Sequence, residues 1–282
     1  MKYYMIVNEF LSSNSFNKIY EQFENAFNKM GVLCELLTNV TALKLLNTNG
    51  NGKAILFFDK DVFLAKQLEK CGYKCINNSK VIEICDDKAK TYIKLLNKVA
   101  MPKTILAPFT FNTVGYTNLN FISHVESELG YPMVVKQNKG SFGEQVYLVN
   151  NCEELIQIIK KIGSSEMLFQ EYVKSSFGKD YRVYVVNGKV VASALRTNDS
   201  DFRSNVASGG SMKAVQLPTE YENLAIKCCE ILGADFAGVD LLIGDNGPLV
   251  CEVNSNAHFT ALAQITKVDV ALSIVKHLLS LK

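Results

Sequence analysis

The sequence predicts an α/β protein of more than one lobe, and three observations carry that prediction. Apolar strand-like runs alternate with helix-period segments through the first 85 residues, the pattern of a parallel sheet. Later apolar runs are joined by tight turns such as Asn187-Gly188, the mark of antiparallel hairpins. At 282 residues the chain exceeds what one core usually organises, so two or three lobes are expected.

Residues 3–7, Tyr-Tyr-Met-Ile-Val, make the first strand. Over residues 16–30 the side chains Phe16, Ile19, Tyr20, Phe23 and Phe27 recur at helical spacing, and Gly31 stops the helix. Strands are predicted at 32–37 and 54–58, separated by an Asn- and Gly-rich loop at 47–53. A helix at 61–71 is followed by short strands at 72–76 and 81–84. Asp86 and Asp87 open a helix to about residue 99, acidic groups suiting the positive end of its dipole. Met101-Pro102 ends it, and a linker runs to Val114. The middle of the chain then reads as a helix at 121–129, a strand at 133–136, a Gly-Ser-Phe-Gly turn at 140–143, a strand at 146–149, a helix at 152–162 and a strand at 167–171. The last third has a hairpin, 180–186 with 189–196, then a polar loop at 197–211 and a helix at 219–232. An apolar hairpin at 236–254 and an amphipathic helix at 268–281 close it. The expected division is 1–85, 86–172 and 173–282.

Composition excludes several classes. A net charge of +2, with Lys and Arg scattered, gives no argument for nucleic acid or a membrane surface as partner. No run approaches the roughly 18 apolar residues of a membrane span, and the N-terminus lacks the cleavage site of a signal peptide, so a cytoplasmic location is expected. The eight cysteines lack paired Cys-x-x-Cys spacing and have no nearby His, which points to buried reduced thiols rather than zinc. The P-loop, the dinucleotide Gly-x-Gly-x-x-Gly, His-Glu-x-x-His and Gly-x-Ser-x-Gly are absent. Of the three histidines, His124 and His277 read as structural or solvated, whereas for His258, which follows the last hairpin, contact with substrate competes with a structural role.

That last hairpin, with Asp240 on one arm and Glu252 and Asn254 on the other, concentrates oxygen-bearing side chains on an apolar ribbon. Folding about Asp245 and Asn246 sets Asp240 opposite Glu252, and strand alternation sends Glu252 and Asn254 the same way. Such a set suits Mg²⁺ better than a core. Upstream, Lys136 ends an apolar strand and the flexible turn Gly140-Ser141-Phe142-Gly143 follows. Backbone N–H groups of such a turn can lie over phosphates, with the lysine as a point charge. A plain hairpin with a solvated lysine carries the same signature. Gln170, Glu171, Tyr172 and Val173 leave a strand in a way that can hold an adenine ring, though any sheet-edge strand looks alike. Arg182, Arg196 and Arg203 offer a cationic wall for a transferred phosphate; surface ion pairs are the competing reading.

Taken together, Asp180-x-Arg182, Arg196, Asp201-Phe-Arg-Ser-Asn205, Gly209-Gly210, Ala237-Gly-Val-Asp240 and Gly247-Pro-Leu-Val-x-Glu252-Val-Asn254 resemble, in order and spacing, the RimK-type glutamate ligases of the ATP-grasp superfamily. The resemblance implies an ATP-grasp fold: an N-terminal Rossmann-like domain, a central lid subdomain and a C-terminal subdomain with the metal site. It implies ATP beneath the 140–143 loop, with Lys88 and Lys136 on its phosphates. Gln170, Glu171, Tyr172, Val173 and Asp180 would hold adenine and ribose. Arg203, Ser204 and Asn205, with Arg182 and Arg196 nearby, would stabilise the moving γ-phosphoryl group. Asp240, Glu252 and Asn254 would hold two Mg²⁺ ions, or Mn²⁺ in their place. The implied reaction joins a carboxylate to an amine through an acylphosphate, adding an amino acid such as glutamate to a protein, peptide or small-molecule acceptor. A different amino acid, a ribosomal-peptide acceptor or a non-catalytic nucleotide-binding protein are the alternatives, and a homo-oligomer is compatible. The chain departs from the pattern at Gln145, where the family carries another glycine. It departs again at Ser255-Asn-Ala-His258, where the family has Ala-Ser-Pro-Gly beside the acceptor site.

Overall fold

Among the described residues the strands form three sheets. The computed structural model describes residues 2–140, 143–205 and 209–281. The first sheet is built from β1 (Tyr3–Val7), β2 (Cys34–Thr38), β3 (Ala54–Phe57) and β4 (Lys74–Ile76), ordered β2-β1-β3-β4. All its pairings are parallel, as the alternation predicts. Every residue of β3 is buried, as expected of a parallel strand covered on both faces. The intervening helices are α1 (Asn14–Lys29) and α2 (Val62–Lys70). The apolar stripe of α1 faces inward at Ile19, Phe23, Ala26 and Phe27. Asp61 caps α2 by accepting from the Leu64 N–H at 2.9 Å.

Residues 81–84 correct the strand prediction: they lie within α3 (Ser79–Cys85). Val-Ile-Glu-Ile favours a strand by propensity, but capping contacts decide the outcome. Asn78 accepts from the Val81 N–H at 3.0 Å, and Ser79 donates its N–H and hydroxyl to Glu69, each at 2.6 Å. The next helix, α4 (Lys88–Leu95), is capped by Asp87 and stops four residues short of the predicted end.

The stretch expected to be linker contains β5 (Thr104–Leu106). It continues through α5 (Ile122–Leu129), β6 (Met133–Gln137), β7 (Val146–Val149), α6 (Cys152–Ile162) and β8 (Met167–Glu171). The resulting antiparallel sheet is ordered β5-β8-β6-β7. Ile122, Val125, Met133, Val135, Leu155, Ile159 and Phe169 form a core beneath it. Ser141 and Phe142 of the predicted turn lie outside the described residues.

The third sheet contains β9 (Lys179–Val186), β10 (Lys189–Thr197), β11 (Ser211–Ala214), β12 (Phe236–Gly244) and β13 (Gly247–Asn254), ordered β11-β10-β9-β12-β13. Helix α7 (Thr219–Leu232) covers one face. The helices α8 (Thr260–Thr266) and α9 (Val270–Ser280) follow; the sequence reading contained only the second.

The first and third sheets share one core. Phe23 meets Phe259 edge-on at 5.3 Å, and Phe58 stacks on Phe236 at 6.3 Å. Asn77, fully buried after β4, pins the two together. Its amide donates to the carbonyls of Phe236 and Ser255 at 2.8 and 3.0 Å, and accepts from the N–H groups of Asp235 and Phe236 at 2.8 and 3.3 Å. Among the described residues no helix is long and apolar enough to cross a membrane. Asn77→Ala would strand buried backbone groups, and a loss of about 3 kcal/mol is expected in urea denaturation. A loss below about 1 kcal/mol would mean that those groups find other partners.

Candidate functional site

The second and third sheets face each other across a cleft of about 880 Å³. Val134, Lys136 and Val146 line it from the second sheet, and Asp180, Arg196, Asp240 and Glu252 from the third. Strand register explains why the charged groups converge. Asp240 pairs with Glu252 on one side and Arg182 on the other, while Arg196 pairs with Asp180. A bulge between Asp240 and Leu241 leaves Cys251 as the extra residue of β13. Asp240 therefore faces Glu252, as the hairpin reading required.

Asp240 is not a free carboxylate. Arg182 bonds both its oxygens, the Nη2 bond measuring 2.9 Å, and Arg196 Nη2 lies 3.0 Å from Oδ2. Arg196 in turn forks onto Asp180, with Nε to Oδ1 at 2.6 Å. Burial alone would raise the Asp240 carboxyl, but Arg182 and then Arg196 outweigh it and hold it below the usual range. Burial likewise opposes the Arg196 charge, and Asp240 and Asp180 more than restore it. Asp180, which the resemblance places among the residues holding adenine and ribose, spends its carboxylate on Arg196.

Lys136 is 7% exposed, yet its partners are neutral: Gln170 Oε1 at 2.7 Å and Cys251 Sγ at 3.7 Å. Gln170 is held in turn by Thr104, to which Nε2 donates at 2.9 Å. Among the described residues no carboxylate lies within 4.0 Å of Lys136. A buried ammonium so placed favours an arriving anion. Lys88 spans the cleft, donating to the Gly140 carbonyl at 3.3 Å and lying 3.6 Å from Glu252 Oε1. Arg203 reaches the same loop, donating to the Gly143 carbonyl at 2.7 Å while it forks onto Asp201. Gly143 has φ +77°, a conformation strained for any other residue, and a Cβ there would meet Arg203 and Asn205 at ordinary contact distance.

Glu171, Tyr172, Val173, Ser204 and Asn205 also line the cleft. The Glu171 carboxylate accepts from the Lys103 N–H at 2.8 Å, so it ties the entry strand as well as lining the cleft. Asn254 does not line this cleft; it lies in the adjoining cavity. Among the described residues no three His, Cys, Asp or Glu side chains gather as a ready-made metal cage.

A RimK-like ATP-grasp domain is matched over residues 85–278. The chain belongs to the RimK-like ATP-grasp family. It is 37% identical over 227 residues to N-acetylaspartylglutamate synthase A of Homo sapiens, covering 79% of this chain and 56% of that protein. It is 32% identical over 232 residues to a probable alpha-L-glutamate ligase of Maridesulfovibrio salexigens, covering 80% and 73%. The fold is similar to that of D-alanine–D-alanine ligase from Bacillus anthracis complexed with ATP, with a TM-score of 0.75, 19% identity and coverage of 99% and 96%. The fold is thus ATP-grasp along nearly the whole chain. The chain spans little more than half the length of the human relative.

The adjoining cavity was only partly legible. Arg182, Arg196, Asn205, Glu252, Asn254 and His258 on its wall were singled out from the sequence and Asn256 only within the departing stretch Ser255-Asn-Ala-His258, whereas Asp59 and Thr260 were not. A signal for Asp59 existed: it follows the wholly apolar run Ala54-Ile-Leu-Phe-Phe58, at the carboxyl end of a parallel strand, where α/β sheets bind ligands.

Arg196→Met would leave Asp180 and Asp240 short of a buried counter-charge. A loss of about 3–5 kcal/mol is expected by chemical denaturation, and an unchanged midpoint would refute the pairing. His258 is held below the ordinary histidine range by burial, then by Arg182 and Lys60. The unfolded chain therefore takes up its proton first, and stability falls as pH drops below about 6.5. His258→Gln should flatten that decline between pH 7.5 and 5.5; an identical slope would count against it.

Proposed function

We propose that the protein is an ATP-dependent carboxylate–amine ligase that adds an amino acid, glutamate foremost, to a carboxylate-bearing acceptor. The observation that carries this reading is Lys136, a buried cation with neutral partners, in a cleft that Arg203 and Arg196 also line. Family membership and the similarity to an N-acetylaspartylglutamate synthase and a probable alpha-L-glutamate ligase support it.

In this reading adenine lies between Val134, Val146 and the Tyr172–Val173 turn, and Lys88 and Lys136 hold the phosphates. A substrate carboxylate oxygen attacks the γ-phosphorus, the bond to the β-phosphate oxygen breaks, and ADP leaves with that electron pair. Arg203 and Arg196 stabilise the charge on the moving group. The amine nitrogen then attacks the acyl carbon, the carbon–oxygen bond to phosphate breaks, and inorganic phosphate leaves as the amine proton passes to solvent.

The donor set fits Mg²⁺. Glu252 is 28% exposed and its 3.6 Å contact with Lys88 is loose enough to exchange. Glu252 and Asn254 would hold the ion, with Asp240 oriented behind them by its two arginines; Mn²⁺ and a second ion fit the same oxygens. Bound there, the metal would neutralise phosphate charge.

The test combines enzyme, ATP and Mg²⁺ with L-glutamate and a pool of dicarboxylic acids, N-acyl amino acids and peptides, reading ADP and product mass. No ADP release with any acceptor would sink the proposal. Lys136→Ala is expected to raise the KM for ATP at least about tenfold. Glu252→Gln should lower Mg²⁺-dependent turnover about a hundredfold, and wild-type rates in it would remove the metal assignment.

A further inference from the structure

Thr104 does not line the nucleotide cleft, yet a chain of hydrogen bonds joins it to the ammonium inside. Register sets the path. Thr104 pairs with Gln170 across β5 and β8, and Gln170 pairs with Val134 across β8 and β6. Directly paired residues share a face of a sheet, and so do residues two apart on one strand. Thr104, Gln170 and Lys136 therefore lie on one face, each on its own strand of three neighbours. All three are buried.

The direction of the chain is forced at both ends. A threonine hydroxyl has one hydrogen to give. Thr104 Oγ1 donates it to the Pro102 carbonyl at 2.9 Å, so only its lone pairs remain for Gln170. Gln170 must meet them with its amide nitrogen, and Nε2 donates to Oγ1 at 2.9 Å. That leaves Oε1 for Lys136, whose ammonium can only donate, at 2.7 Å. The terminal torsion of a glutamine is close to two-fold, so nothing in Gln170 itself prefers this way round. Turned over, it would set an NH2 group against a buried ammonium. The other neighbour of Lys136, the Cys251 thiol, is pushed above its ordinary range by burial and stays protonated. Two uncharged groups thus hold the ammonium in place and leave its charge for an anion.

Resting on the ligase reading, we propose that Thr104 is a positioning residue for the nucleotide phosphates: it sets which end of Gln170 meets Lys136 and so aims the ammonium. Gln170, which the resemblance places with adenine and ribose, acts through the lysine instead. The Pro102 carbonyl that orients the hydroxyl lies in the segment entering the second sheet, so the position of the charge is referred to the backbone of that crossing.

The test uses two substitutions at Thr104 and two probes. Thr104→Val keeps the shape and removes the hydroxyl, whereas Thr104→Ser keeps the hydroxyl. Equilibrium dialysis with Mg²⁺ and neither ligation substrate gives the affinities for ATP and for adenosine, which carries no phosphate. In Thr104→Val the Kd for ATP should rise at least about fivefold while that for adenosine stays within about twofold. Thr104→Ser should bind both as the wild type does. Gln170→Met, which leaves Thr104 in place, should show the same split and serves where Thr104→Val does not fold. An unchanged ATP affinity in Thr104→Val overturns the assignment. So does a serine variant as weak as the valine one, or an equal loss for ATP and adenosine, which would mean a general disturbance of the pocket. A wild type that binds no ATP overturns the ligase reading and this assignment with it. A wild type that binds ATP, with an unmoved ratio of the two affinities in the variants, overturns this assignment alone.

Discussion

Three buried charged groups, Asp180, Arg196 and Asp240, and the half-buried Arg182 paired with them, constrain the register of the third sheet. Removing such groups from water costs several kcal/mol apiece, and only their mutual pairing offsets it. They sit on three neighbouring strands, β9, β10 and β12, so a slip of one residue in any pairing would leave a charge alone. The cluster contributes little net stability by this reasoning. What it fixes is position: Glu252 stands across from Asp240 because β12 cannot slide.

The opposite wall of the cleft depends on that position. Lys88 and Arg203 each run from a point fixed on one side to a glycine carbonyl of the 140–143 loop on the other. Both are cations, and both contacts are to neutral carbonyl oxygens. A phosphate chain would offer either of them a stronger partner, so the bonds that tether the loop are also bonds that a nucleotide can replace.

The strands with clear alternation and the long amphipathic helices were legible in the sequence, because burial on one face writes a period into the chain. Residues 81–84 were misread because their apolar, β-branched run says strand, while the deciding contacts come from Asn78 and from Glu69 on another helix. Strand β5 was missed because three residues carry no period, and its partner β8 lies some 60 residues away. The arginines were visible as a cationic wall, but their pairing with Asp180 and Asp240 follows from register, which no single segment encodes. Asn77 looked like an ordinary loop residue. Its worth comes from two strangers in sequence, Asp235 and Ser255, and polar side chains of that kind leave no pattern to find.

The shared aromatic core has a mechanical consequence. Phe23, Phe58, Phe236 and Phe259 weld the first and third sheets into one body, whereas the second sheet keeps a core of its own. The chain passes between the two bodies near Pro102 and again near Tyr172. Lys136 therefore stands on the body built around the second sheet, and Glu252 and Arg196 on the body built around the first and third, so the charged lining of one cleft is contributed by two separately packed cores.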